Sequence, residues 1–186
     1  MALIPSVMRE LGTVATPFAL PDVVSGRIVQ SEEYRRMDAF LAIFMCAHCP
    51  YVQHVEKEIA NIGFDFAEES VGIVAISSNY VGAYPDDAPE KLKEQALRLG
   101  FKFPYLYDES QQIARGYGAV CTPDFFLFDS DMKLAYRGQL DASRPGNNVP
   151  VSGKDLRFAI NALIAGRMPP EDQRPSIGCN IKWKPR

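Results

Sequence analysis

The stretch from Ala39 to Phe66 constrains the fold more than any other, because its hydrophobic period changes once and sharply. Ala39-Phe40-Leu41-Ala42-Ile43-Phe44-Met45 is a run of seven apolar residues without a charge. A run this short is a buried strand or a buried helix segment; its β-branched and aromatic members, and the break at Cys49-Pro50, favour a strand. Beyond Pro50, the apolar residues Val52, Val55, Ile59, Ile62 and Phe66 recur at steps of three and four, one stripe of an amphipathic helix. Pro50 suits the first helical turn, where its missing N–H leaves nothing unpaired and its fixed φ is already helical. A buried strand feeding a helix is the first half of a crossover, and a second buried strand completes it at Val71-Gly72-Ile73-Val74-Ala75-Ile76.

The remaining segments extend this alternation. A helix is predicted from about Pro89, with Leu92, Ala96 and Leu99 on one face and Gly100 as its stop. Phe103 to Tyr107 reads as extended, and Ser110 to Gly116 as a short helix with Ile113 and Ala114 inward. Phe125–Phe128 and Lys133–Arg137 read as a hairpin turning on Asp129-Ser130-Asp131. A last helix runs from Ser152, its N-cap, to about Ala165, with Leu156, Ile160 and Leu163 facing the core and Gly166 ending it. Upstream, Phe18–Leu20 and Arg27–Gln30 form an opening hairpin about Ser25-Gly26. The order β-β-β-α-β-α-(β)-α-β-β-α predicts an α/β domain with a central mixed sheet and helices on both faces. Residues 1–12 read as an N-terminal extension, 13–166 as the domain and 167–186 as a C-terminal tail. The tail is rich in proline and charge, yet it holds Ile177, Cys179, Ile181 and Trp183 and is expected to pack back on the domain.

Composition narrows the function. Twenty lysines and arginines against twenty-three acidic residues give a net charge of −3, which argues against nucleic acid or an anionic membrane surface as a partner. No apolar run approaches the ~18 residues of a membrane span, and residues 1–11 show no basic start followed by an apolar stretch, so a cytoplasmic protein is expected. Four cysteines are too few for a disulfide scaffold.

Two of those cysteines, in Cys46-Ala47-His48-Cys49, lie at the joint between the buried strand and the helix. The first cysteine of such a pair is expected at the helix N-terminus, where free N–H groups and the macrodipole favour a thiolate, the species that attacks disulfides. The second is expected about one turn further on, able to resolve the mixed disulfide. A protonated His48 between them would stabilise the thiolate further and make the pair more oxidising. Two other readings are weighed: small buried hydrophobes, and a zinc half-site, which would want a second similarly spaced pair that Cys121 and Cys179 do not supply.

Thr122-Pro123, between Gly116-Tyr117-Gly118 and the predicted strand Phe125–Phe128, is a weak signal alone and a stronger one beside a dithiol. A buried strand ending in Cys-x-x-Cys-Pro, an amphipathic helix, an alternating α/β segment and Thr-Pro before a hairpin resemble the thioredoxin fold. The opening hairpin, the inserted segment around residues 77–107 and the tail Ile177-Gly178-Cys179-Asn180-Ile181-Lys182-Trp183 resemble its redoxin, or peroxiredoxin-like, branch, over roughly residues 13–183. The resemblance implies a cis Pro123 facing the dithiol, a Thr122 backbone that pairs with an extended substrate strand, Cys46 as nucleophile and Cys49 as resolving thiol. It implies thiol–disulfide exchange with a disulfide- or dithiol-bearing protein and a separate electron donor, with no organic cofactor and no metal. The sequence departs from ordinary thioredoxin in having Met45 in place of tryptophan and Ala47-His48 in place of Gly-Pro; a histidine there is similar to strongly oxidising members. The peroxidase alternative aligns its reactive cysteine with Cys49, but Ala42 and Cys46 stand where the Pro-x-x-x-Thr-x-x-Cys pattern carries proline and threonine.

Other residues carry weaker expectations. Cys121 and Cys179 read either as packed thiols or as additional redox partners. His54 is expected to be solvated, and Arg137 to be a solvated strand-edge arginine or a holder of an anionic group. Tyr80, Tyr84, Tyr105 and Tyr107 read as core or as groove lining. Asp86, Asp87 and Glu90 read as charges placed at the start of the second long helix.

Overall fold

The structure, a computed structural model, describes residues 3–185. Strand β1 (Leu3–Pro5) comes first, then the hairpin β2 (Ala19–Pro21) and β3 (Ile28–Gln30), whose turn needs Gly26 at φ +74°. Three strand–helix units follow: β4 (Ala39–Phe44) and α1 (Pro50–Asp65), β5 (Val71–Ser77) and α2 (Pro89–Leu99), β6 (Tyr105–Tyr107) and α3 (Gln112–Tyr117). The chain ends with β7 (Cys121–Thr122), β8 (Asp124–Phe128), β9 (Leu134–Tyr136), α4 (Lys154–Ile164) and β10 (Ile177–Asn180).

The main sheet has the order β6-β5-β4-β8-β9, parallel across β6, β5 and β4 and antiparallel across β4, β8 and β9. This is the expected mixed sheet. Side chains alternate along a strand, so β4 serves two core layers. Leu41 and Ile43 share one layer with Val52 and Ile59 of α1, Leu92 of α2, and Leu156 and Ile160 of α4. Phe40, Ala42 and Phe44 share the other with Val29 of the hairpin, Ala114 and Tyr117 of α3, and Phe126 and Phe128 of β8. Each such fully buried aliphatic or aromatic side chain contributes roughly 1.5–3 kcal/mol. Among the described residues no helix is long and apolar enough to cross a membrane.

The tail lies back on the domain. β10 sits between β1 and β7 in a small antiparallel sheet, Cys179 and Ile181 are buried, and Trp183 lies 4.2 Å under the Arg115 guanidinium.

Several local expectations are corrected. Ser152 does not cap the last helix: its N-cap is Gly153 at φ +63°, and the Asp141 carboxylate accepts from the N–H groups of Ser152 (2.6 Å) and Gly153 (2.7 Å). The short third helix starts two residues later than predicted, after Gln111 in the left-handed region, and its Ala114 N–H donates to buried Asp108. Arg137 is neither solvated nor set to receive an anion. It is 1% exposed, pairs with Asp124 at 3.1 Å, donates to Ser6 Oγ and Gly118 O, and stacks 4.2 Å from the Phe126 ring. His54 is half-buried and bonded to Ser143 Oγ at 2.7 Å.

Candidate functional site

The four residues from Cys46 to Cys49 form a loop between β4 and α1, not the first turn of the helix. Cys49 is the N-cap, with extended φ −73° and ψ 122°, Pro50 is the first helical residue, and the backbone ladder starts with Gln53 N–H donating to Cys49 O at 2.9 Å. This corrects the expectation that Cys46 occupies the helix N-terminus. Pro50 is the cause: deeper in a helix its ring would strike the carbonyl four residues back, and at the first position it meets nothing. The free N–H groups of the first turn of α1 therefore lie nearer Cys49 than Cys46, although the Cys49 sulfur makes no capping hydrogen bond.

Cys49 Sγ is the centre of a thiol cluster. It lies 2.6 Å from Cys179 Sγ and 3.3 Å from Thr122 O. Cys46 Sγ lies 3.5 Å from Thr122 Oγ1 and 3.9 Å from His48 Nδ1. Cys46 and Cys49 are 0% exposed and Cys179 is 4% exposed. The hydrogen bond from Cys46 lowers the Cys49 pKa; burial opposes it, and the Cys179 thiol, Val52 N–H and Thr122 add to it, so that it falls to about 5. Cys46 moves the opposite way, well above its ordinary value, through its bond to Cys49, burial and the negative charge of Asp87.

Asp87 is the residue that sequence reasoning missed. It lies in a short 3-10 turn, Pro85–Asp87, and instead of charging α2 it is completely buried and turned toward the dithiol loop. Its Oδ1 accepts from the N–H groups of Ala47 (2.9 Å) and His48 (3.0 Å). Its Oδ2 lies 2.5 Å from His48 Nδ1 and accepts from Asn79 Nδ2 at 2.7 Å. Burial would raise the Asp87 pKa, but these bonds outweigh it and hold the carboxyl below its ordinary range. His48 thus spends its Nδ1 on Asp87 and stacks on Tyr84, with ring centroids 5.3 Å apart. Its expected role of stabilising a Cys46 thiolate is offset by the carboxylate beside it.

The donor atoms of Cys46, His48 and Asp87 lie within 4.8 Å of one another, and their types suit zinc. The arrangement does not fit a bound ion as it stands. Ligand bonds of ~2.0–2.2 Å in a tetrahedron keep nitrogen and oxygen about 3.3 Å apart, whereas His48 Nδ1 and Asp87 Oδ2 are 2.5 Å apart. Each Asp87 oxygen is also already engaged twice.

The Thr122-Pro123 peptide is cis, and Thr122 faces the dithiol, with its hydroxyl near Cys46 and its carbonyl near Cys49. The strand edge at Thr122, which the resemblance reserves for a substrate, is taken by the chain's own β10, in the register Cys179 with Thr122 and Asn180 with Cys121. Partners across an antiparallel ladder point to one face and their neighbours to the other. Thr122 and Cys179 therefore turn to the dithiol, while Cys121 turns away and bonds weakly to Pro123 O at 3.8 Å, its pKa raised by burial. Of the tyrosines, Tyr84 reaches the site and Tyr105 is core. An open groove of about 400 Å³ borders Ala47 and His48, between Gln53 of α1 and Lys91, Gln95 and Arg98 of α2.

Comparison with known proteins identifies the family and the fold. The model of the AhpC/TSA family matches residues 11–137. A thiol-disulfide oxidoreductase ResA of Bacillus thuringiensis subsp. konkukian is 24% identical over 131 residues, 67% of each chain. The crystal structure of an uncharacterized conserved protein from Geobacillus kaustophilus is 49% identical and superposes with a TM-score of 0.97 over 100% of this chain and 98% of that one. A secreted Mycobacterium tuberculosis disulfide oxidoreductase homologous to E. coli DsbE, 14% identical, shares the thioredoxin-like fold, with a TM-score of 0.60 over 78% of this chain and 95% of that one.

Proposed function

Since the chain belongs to the AhpC/TSA family, we propose that it is a thiol–disulfide oxidoreductase whose attacking sulfur is Cys49 and whose resolving sulfur is Cys46. The observation that carries this reading is the position of Cys49 as N-cap of α1, beside the free N–H groups of the helix's first turn. The Cys49 thiolate attacks a substrate disulfide; the bond from Cys49 to substrate forms, and the substrate's other sulfur leaves with the electron pair and takes up a proton. Cys46 then gives up its proton and attacks Cys49, the substrate leaves as a thiol, and the Cys46–Cys49 disulfide holds the oxidising equivalents until an external dithiol reduces it. The partners are a disulfide- or dithiol-bearing protein and that electron donor. The two sulfurs carry both electrons. The open groove beside Ala47 and His48 is the approach the geometry favours.

Insulin reduction with wild type, Cys49→Ser and Cys46→Ser tests the reading. Wild type is expected to be active, Cys49→Ser inactive, and Cys46→Ser arrested as a mixed disulfide with substrate. Unchanged activity in Cys49→Ser overturns it. The depressed Cys49 pKa also favours a second reading, peroxide reduction at that sulfur. Stopped-flow consumption of hydrogen peroxide separates the two, because a thiol without a peroxide site reacts orders of magnitude more slowly.

A further inference from the structure

We infer that Cys179 is a second resolving thiol, forming with Cys49 a disulfide that fastens the C-terminal strand across the dithiol. The inference rests on the exchange reading above, with Cys49 as the reactive sulfur.

Three features support it. Cys179 Sγ lies 2.6 Å from Cys49 Sγ, closer to the ~2.05 Å of a disulfide than to an ordinary sulfur contact, so bond formation needs little movement. The register of β10 on β7 turns Cys179 to the dithiol side of the strand. That register also depends on a specific residue: a Cβ at Gly178 would meet Thr122 O at 1.9 Å and the Thr122 carbonyl carbon at 2.6 Å, so only glycine lets β10 approach this closely. The strand is then held from both directions. β1 pairs its other edge, and beyond it Lys182 N–H donates to Asn79 Oδ1 at 2.8 Å while Lys182 O accepts from Gln111 and Tyr80. Cys179 is therefore presented by a fixed strand rather than by a loose tail.

The step is an internal exchange. Cys179 gives up its proton and attacks Cys49 of the Cys46–Cys49 disulfide; the Cys49–Cys179 bond forms, the Cys46–Cys49 bond breaks, and Cys46 leaves with the electron pair and takes a proton. The protein stays oxidised by two electrons throughout. The result frees Cys46 and ties β10 to the N-terminus of α1 over the Thr122 edge. Reduction by an external dithiol unties it.

Cys46→Ser protein, reduced and then treated with diamide, which takes two electrons from a pair of thiols, tests the inference. It is expected to lose two of its three thiols and to give a tryptic cross-link between the peptides carrying Cys49 and Cys179, which cleavage at Lys57 and Arg167 separates. Adding Gly178→Ala to that background should slow formation of the cross-link at least tenfold. Wild type treated in parallel keeps the failures apart. If it forms Cys46–Cys49 while Cys46→Ser keeps three thiols or links only between chains, the inference falls and the exchange reading stands. If wild type forms no disulfide, both fall.

Discussion

Replacing each cysteine of the pair in turn decides which sulfur carries the charge. The surroundings of Cys49 lower its pKa from an ordinary 9.0 to about 5, so folding favours its thiolate. The largest contribution is the hydrogen bond from Cys46, and a hydrogen bond to a charged group is worth about 1.5–3 kcal/mol. Cys46→Ser keeps a hydroxyl donor and should leave the Cys49 transition acidic. Cys46→Ala removes the donor and should make Cys49 roughly tenfold to a hundredfold less acidic. Cys49→Ser should abolish the transition. Ultraviolet absorbance of the thiolate against pH reads this directly, without any reagent having to reach a sulfur that is 0% exposed. The reasoning is refuted if the acidic transition survives in Cys49→Ser and vanishes in Cys46→Ser. The same shift has a signature in stability. Because the folded pKa of Cys49 lies below its unfolded value, its contribution is complete above about 9 and is lost as the pH falls toward about 5. Urea unfolding of the reduced protein should therefore show wild type losing stability relative to Cys49→Ser over that window. Cys46, whose pKa is raised, acts only at still higher pH.

Asp87→Asn puts an amide donor among the donors of Ala47, His48 and Asn79, and should cost about 1–3 kcal/mol in urea unfolding at neutral pH. It also removes the negative charge that raises Cys46, so Cys46 should titrate at lower pH in the same ultraviolet assay. Arg137→Met leaves Asp124 buried without its cation and should destabilise the fold by about 3–5 kcal/mol at pH 7. Burial already pushes Asp124 up to about 6; a carboxyl raised on folding is stabilising below about 4 and loses that contribution as the pH rises, so part of the deficit should be recovered at pH 5. Cys121→Ala should remove one titratable thiol and leave both the Cys49 transition and the diamide-formed disulfides unchanged, because Cys121 faces away from the cluster.

The sheet and its helices were legible because each is written in a local period. The uncharged run at β4 and the three-and-four spacing of α1 are properties of consecutive residues, and burial on both faces of the sheet follows from them. What escaped depends on residues far apart in the chain. Asp87 meets the dithiol loop across thirty-nine and forty positions, and no local pattern marks an acidic pair before a helix as a buried partner rather than an exposed one. Arg137 resembles any arginine at a strand end until Ser6 and Asp124 close over it. Asp141 reaches eleven and twelve positions forward to fix Ser152 and Gly153 ahead of α4. Cys179 could be recognised as an anchored thiol, but its contact with Cys49 spans 130 positions and is set by the register of β10 on Thr122.

The phase of α1, by contrast, was recoverable from five letters. In Cys46-Ala47-His48-Cys49-Pro50, a helix opening at Cys46 would place Pro50 at its fourth helical position, where the ring meets the carbonyl of Cys46. A helix opening at Cys49 places the same proline first, where it is favoured. The proline therefore sets the phase of α1, and the phase decides which sulfur receives the helix amides. His48 then sits outside the helix beside Cys46, with its Nδ1 held 2.5 Å from the Asp87 carboxylate. The interaction with Cys46 lowers Cys49, and the interaction with Cys49, burial and the Asp87 carboxylate raise Cys46, so the two thiols shift in opposite directions. A histidine between the cysteines is thus an insufficient sign of an oxidising pair, because the charge it adds depends on a partner thirty-nine residues away.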